Sequence, residues 1–385
     1  MTTPNVVPNS SFGTFFLPGP TEVRPEVLAA MTRPMIAHRG AAFEALYARC
    51  DAGLRRVFKT ARPVFISSSS ATGLMEAAVR CARPGPVLAV VNGAFSERFA
   101  EIARACGREV DVLAVPFGRA ADPDDVARQL SRRAYAAVTV AHSETSSGAL
   151  TDVVALGAAA RAHGARMLVD SVTALGAAPL DFDASGLDFV LTGSQKALAL
   201  PPGLAFAAVG EGYLAEVGAA PDRGRYFDVA EFAAFAAKRQ TPNTPALSLF
   251  YALEAQLART VGVDAAAGAA AALAPEPVEA RWARHAALAA QTWAWAEACG
   301  GRFGIAVLAP EGERSPTVSA ITLPTSVAPA AVVAAVARRG YVVGGGYGAG
   351  KGSTFRIGHM GDHTAEGLAG CLAACTEALA EIVGR

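Results

Sequence analysis

Several short segments of the chain gather residues able to do chemistry, and each follows a run of aliphatic and β-branched residues. Ser68, Ser69, Ser70, Ala71 and Thr72 follow VFIS (64–67), and Asn92, Gly93, Ala94 and Phe95 follow VLAVV (87–91). His142, Ser143, Glu144, Thr145, Ser146, Ser147 and Gly148 follow AAVTVA (136–141). Asp170 closes RMLVD (166–170) ahead of Ser171 and Val172, and FVLTG (189–193) leads into Ser194, Gln195 and Lys196. Each group also has an ordinary reading. Small hydroxyl residues at a helix start are either a simple N-cap or a set of free N–H groups able to hold an anion. Phe95 alone suits a core, Glu144 a helix end or an ion pair, and Asp170 a cap. Lys196 is harder to dismiss, because a lysine in so apolar a neighbourhood is unusual.

The combination says more than its parts. In a parallel α/β sheet, ligands sit beyond the carboxyl ends of the strands, where all these residues fall. An aldehyde cofactor with a phosphate and a pyridinium ring needs this set: an amine to form the imine, a carboxylate beside the ring nitrogen and a helix N-terminus for the phosphate.

The elements that must position these residues are legible from periodicity. From Val64 onward, strand-like runs alternate with helical stretches near 72–82, 94–106, 124–132 and 151–163, with further strands over VDVLAV (110–115) and LAFAAVG (204–210). Apolar strands separated by helices predict an α/β fold with a mostly parallel sheet covered on both faces. The chain breaks around Pro275–Pro277 and resumes as an amphipathic helix over 281–298. VSAITL (318–323), a helix over 328–338, YVVGG (341–345), TFRIG (354–358) and a helix over 364–383 follow, which fits a second, smaller α/β unit. The expected division is an N-terminal segment 1–13, a large domain 14–255 and a small C-terminal domain 256–385.

Bulk properties narrow the function. The 385 residues carry 34 Lys+Arg and 34 Asp+Glu, so no global field recruits nucleic acid or an acidic membrane surface. The first twenty residues lack the cationic start and apolar stretch of a signal peptide. The Ala-rich run 265–274 is too short to span a bilayer. Cys50, Cys81, Cys106, Cys299, Cys371 and Cys375 form no CxxC pair and have no His partner at zinc spacing, so no metal is expected and the thiols read as reduced, in a cytoplasmic protein.

These residues resemble the class V aminotransferases of PLP fold type I, most closely the alanine/serine–glyoxylate group. The resemblance runs from FFLPGPTEVRPEVL through AHRGAAFEALY, HSETSSG, LVDSVTALGAAPLD and TGSQKALALPPG to STFRIGHMG. It implies pyridoxal 5'-phosphate as cofactor, a large domain with a seven-stranded sheet, and Lys196 as the Schiff-base lysine and general base. Asp170 would contact the pyridine nitrogen, Phe95 would stack on one ring face and Val172 on the other, and Thr145 would lie near the phenolic oxygen. Ser70, Ala71 and Thr72 match the phosphate loop, where Ala71 and Thr72 depart from the more usual Gly-His or Gly-Thr, and Gln195 would reach the same phosphate. QTPNTPALSLFYAL resembles the segment that crosses to the neighbouring subunit in the family's homodimers, so Asn243 and Thr244 would touch the phosphate in trans. Without the resemblance that segment is a proline-defined loop. Arg356 of FRIG matches the arginine that grips the substrate α-carboxylate.

The implied activity is transfer of the amino group of a small L-amino acid, of the alanine or serine type, to a 2-oxo acid such as glyoxylate or pyruvate by a ping-pong cycle. His38 and Arg39 within AHRG also resemble phosphoserine aminotransferase, in which such a pair helps bind the substrate phosphate; the same pair occurs in relatives without phosphorylated substrates. A cysteine desulfurase-type lyase on the same fold would need a reactive loop cysteine and usually a His before the lysine, where Gln195 stands.

Overall fold

The structure is a computed structural model that describes residues 12–262 and 275–384. The expectations for residues 1–11 and for the Ala-rich run 265–274 lie outside the described residues. In chain order the strands are β1 (Phe15–Phe16), β2 (Val64–Ser67), β3 (Val87–Val91), β4 (Val110–Ala114), β5 (Ala137–Ala141), β6 (Ser143–Glu144), β7 (Ala149–Leu150), β8 (Arg166–Asp170), β9 (Phe189–Gly193), β10 (Ala205–Val209), β11 (Ala306–Val307), β12 (Val318–Thr322), β13 (Val342–Gly345) and β14 (Thr354–Gly358).

Seven strands form the large sheet in the order β2-β10-β9-β8-β5-β3-β4. β4, β3, β5, β8 and β9 pair in parallel, and β10 is antiparallel to both β9 and β2. β2 therefore runs in the same direction as the parallel five, and its carboxyl end opens on the same edge. β2, β5, β9 and β10 are buried along their whole length, as continuous aliphatic runs covered by helices on both faces must be. At the edge, β4 alternates and leaves Val112 exposed. Aspartate side chains start two of the covering helices, Asp122 accepting from the Asp124 N–H and Asp152 from those of Val154 and Ala155.

The second sheet has the order β1-β13-β14-β12-β11. It packs with the helices Val278–Phe303, Pro329–Arg338 and Ala365–Val383 around a separate core that includes Leu288, Ile321, Phe355, Ile357 and Leu368. Cys371 and Cys375 lie on the buried face of the last helix.

Two elements run across the expected divisions. Phe15–Phe16, placed by sequence in the larger block, pairs in parallel with Val342–Val343, because Phe16 fills the second core. The boundary at 255 falls inside the helix Leu247–Val261, whose Leu257 is buried against Gly53 in the first core. Apolar contact at about 1.5–3 kcal/mol per fully buried side chain keeps that last turn with the large unit. A buried ionic cluster joins the two units. Asp362 accepts from Arg281 Nη1 (2.9 Å), Arg24 Nε (3.2 Å), Gln256 Nε2 (3.2 Å) and Arg259.

Candidate active site

Because β2, β3, β5, β8 and β9 end on one edge, the five polar groups that follow them converge. Ser70, Ala71, Thr72, Phe95, Thr145, Asp170, Val172, Gln195 and Lys196 line a single cavity there. Met75, Arg98 and Thr173, which sequence reasoning did not single out, line it too. The helix Ala71–Arg80 begins at this cavity with Ser70 as its N-cap residue, and no side chain caps it. Its first N–H groups and its dipole thus face the cavity, which suits an anion.

Lys196 and Asp170 are both buried. Burial pushes the Lys196 ammonium down to about 8; the Arg356 charge adds to this and Asp170 opposes it. Burial raises Asp170 to about 7, against a hydrogen bond from the Val172 N–H to Oδ1 at 2.9 Å. An amine that gives up its proton more readily than an ordinary lysine and a carboxylate eager for a cationic partner are what imine chemistry and a pyridinium require. Thr145 Oγ1 and Thr173 Oγ1 share a hydrogen bond of 2.6 Å on the cavity wall.

Phe95 is held by the residue whose role the sequence left open. Glu144 is fully buried, and its carboxylate accepts from the N–H groups of Phe95 (3.1 Å) and Ser96 (3.0 Å) at the start of the helix Ala94–Ala105 and from the Ser146 hydroxyl (2.6 Å). It is thus a helix-end carboxylate, and by fixing that first turn it fixes Phe95. Tyr347, from the glycine-rich loop after β13, stacks on Phe95 with ring centroids 5.6 Å apart. Arg356, on β14, donates to the carbonyls of Gly345 (2.8 Å) and Thr145 (3.1 Å) and lies 5.5 Å from the centre of the Tyr347 ring. Among the described residues it has no carboxylate partner within ion-pair distance.

The segment Pro18–Thr21 packs against Lys196. The Lys196 ammonium donates to the Pro18 carbonyl, the Thr21 N–H donates to the Gln195 carbonyl (3.0 Å) and its hydroxyl to the Lys196 carbonyl (3.1 Å). Gly19 has φ +106°, and a Cβ there would fall 2.5 Å from Lys196 Nζ. Conformation and space both demand glycine. Nothing local in LPGP says what it covers.

Four expected site residues lie elsewhere within the chain. Asn243 borders a small hollow with Ser67, Ser68 and Tyr226 beside β2, and Thr244 is exposed. Arg39 donates to the carbonyls of Thr241 (2.7 Å) and Pro242 (3.2 Å), so it braces the same segment, and His38 precedes it on the partly exposed turn.

With this geometry established, comparison with known proteins gives a consistent picture. The family model described as aminotransferase class-V matches residues 17–279. An uncharacterized aminotransferase of Methanocaldococcus jannaschii is 36% identical over 351 residues, 90% of this chain and 87% of that protein. The serine–glyoxylate aminotransferase of Methylorubrum extorquens is 32% identical over 93% of this chain and 89% of its own length. Among solved structures, the alanine–glyoxylate aminotransferase from Nostoc sp. superposes with a TM-score of 0.87 at 27% identity, covering 98% of this chain and 97% of that one.

Proposed function

The chain belongs to the class V aminotransferases, and on that premise we propose that it binds pyridoxal 5'-phosphate at Lys196 and moves the amino group of a small L-amino acid, of the alanine or serine type, to a 2-oxo acid such as glyoxylate or pyruvate. The observation that carries the reading is the pairing of a buried, easily neutralised Lys196 with a buried Asp170 in a cavity that opens onto an uncapped helix N-terminus. The donor set fits the cofactor. Ser70, Ala71 and Thr72 would hold its phosphate, with Gln195 alongside, Phe95 and Val172 would enclose its ring, Thr145 would meet its phenolic oxygen and Asp170 its ring nitrogen. When bound, the cofactor supplies an aldehyde that accepts the amino group and a ring that spreads the electrons of the broken Cα–H bond.

The chain's own residues do the rest. Arg356 takes the α-carboxylate through two parallel hydrogen bonds and so sets the angle of the Cα–H bond. The Lys196 amine removes the Cα proton and returns it, acting as base and then acid. Asp170 keeps a proton on the ring nitrogen. Pro18–Thr21 excludes water from Lys196. The serine–glyoxylate and alanine–glyoxylate relatives support the choice of substrates.

We further infer a homodimer in which Asn243 and Thr244 reach the neighbour's phosphate; their absence from the lining of this chain's own cavity, and the exposed Leu28, Met35 and Tyr226, support it. All six cysteines are free thiols, which supports a reducing, cytoplasmic setting; no described helix is long and apolar enough to cross a membrane. Phosphoserine as donor is the second reading, through His38 and Arg39, but the Arg39 guanidinium is engaged by Thr241 and Pro242. A desulfurase is disfavoured, because no cysteine lines the cavity and burial raises the Cys50 and Cys81 thiols.

The test is to load the protein with pyridoxal phosphate and mix it with alanine, serine and phosphoserine. Alanine and serine are expected to convert the cofactor to its pyridoxamine form, and Lys196→Ala to abolish both the conversion and the visible absorbance of the linked cofactor. A Lys196→Ala protein that keeps both would refute the assignment.

A further inference from the structure

Arg98 stands one helical turn after Phe95, and its side chain lines the same cavity as Lys196 and Asp170. Its charge is felt at both, lowering the proton affinity of each. Yet it has no carboxylate within ion-pair distance among the described residues. Its contacts are the Tyr347 hydroxyl, 3.3 Å from Nη2, and the face of Phe95, whose centroid is 5.0 Å away. Glu144, the buried carboxylate at the start of the same helix, is committed to the N–H groups of Phe95 and Ser96 and to Ser146. Arg356 lies against the same tyrosine and likewise has no carboxylate within ion-pair distance among the described residues.

Two guanidinium groups thus flank one tyrosine, Arg98 on the cavity lining and Arg356 beside Thr145, and among the described residues neither has a carboxylate within ion-pair distance. The α-carboxylate common to all amino acids needs one of them. A half-buried guanidinium facing a ligand cavity is best satisfied by a second anionic group on the ligand, since a planar guanidinium matches a carboxylate bidentately. We propose that Arg98 is a specificity-determining residue that receives the side-chain carboxylate of a dicarboxylic amino acid or of the corresponding 2-oxo acid. One of the two substrates of the ping-pong cycle is then a four- or five-carbon dicarboxylic acid, the other being the small one. The Tyr347 hydroxyl, released from Arg98, donates to the same carboxylate. This inference rests on the aminotransferase reading above.

The experiment compares the pyridoxal phosphate-loaded wild type with Arg98→Gln and Arg98→Lys. Single-turnover conversion is measured with aspartate, glutamate, alanine and phosphoserine, and binding is measured separately with the unreactive acids succinate and propionate. A charge-assisted hydrogen bond predicts that Arg98→Gln loses roughly 10- to 100-fold more with aspartate or glutamate than with alanine. It also predicts that the preference for succinate over propionate disappears and that Arg98→Lys restores part of both. Equal losses with all donors, an unchanged succinate preference, or a loss confined to phosphoserine would overturn the assignment. The two readings fail separately. If no amino acid converts the wild type, the aminotransferase reading falls while succinate binding still tests Arg98; if alanine converts it but no selectivity depends on Arg98, only the present inference falls.

Discussion

Asp170 and Asp362 are both buried, and their surroundings push them in opposite directions. Asp170, at the end of β8, receives one backbone N–H on its carboxylate and faces a lysine that burial has itself discharged in part, so burial prevails and its proton affinity rises to about 7. Burial acts on Asp362 in the same sense, but Arg281 and Arg259 overcome it and hold that carboxyl well below its ordinary range. Asp362, at the seam between the two units, is a finished interaction, with both oxygens of its carboxylate in use. Asp170, like Arg98 on the same cavity lining and Arg356 near Lys196, is an unfinished one, and unfinished charges at a cavity mark where a ligand must complete them. The contrast separates the structural charges from the functional ones more sharply than burial does.

Breaking the finished side of the comparison should have the largest effect on stability. Asp362→Asn leaves Arg281 and Arg259 buried without a counter-charge, and removing one partner of such a cluster costs about 3–5 kcal/mol. Chemical denaturation should show that loss, while the absorbance of bound cofactor in the folded fraction stays unchanged. A loss below about 1 kcal/mol would mean that the cluster contributes no more than a surface pair.

Asp170→Asn should behave in the opposite way in the cofactor-free protein. With its folded proton affinity raised, Asp170 binds more protons in the folded than in the unfolded state between about pH 4 and 7, so its contribution to stability falls as pH rises through that window. Asp362, with its affinity depressed, contributes stability that is present above the ordinary carboxylate range and is lost as pH falls. Asp170→Asn should therefore be more stable than wild type at pH 7.5 and lose that advantage at pH 5, as measured by urea denaturation at the two values. An advantage that persists undiminished at pH 5 would contradict the raised affinity.

The smallest effect sharpens the comparison from the rim. Arg24 reaches Asp362 from the N-terminal segment at 3.2 Å and is partly exposed. Arg24→Ala should cost no more than about 1 kcal/mol in the same assay, because solvent screens an ion pair at that edge. A loss as large as that of Asp362→Asn would show that the segment Pro18–Thr21 depends on Arg24 for its position over Lys196.

The amino-acid sequence by itself determined the strand–helix alternation and the residues at the strand ends, because strand burial and helix period are local patterns that a run such as FVLTG or RMLVD carries without help. It therefore also supplied most of the cavity: Ser70–Thr72, Phe95, Thr145, Asp170, Val172, Gln195 and Lys196 all follow directly from those ends. Tertiary structure alone decided which ends become neighbours, since β10 enters between β2 and β9 from far along the chain and reverses direction to do so. It also decided that β1 joins the second sheet, that Pro18–Thr21 covers Lys196, that Glu144 serves the first turn of the Phe95 helix and that Tyr347 meets Arg98. Each of these depends on contacts between residues distant in the chain, whose energies arise only once the two cores have packed and which no local spacing encodes.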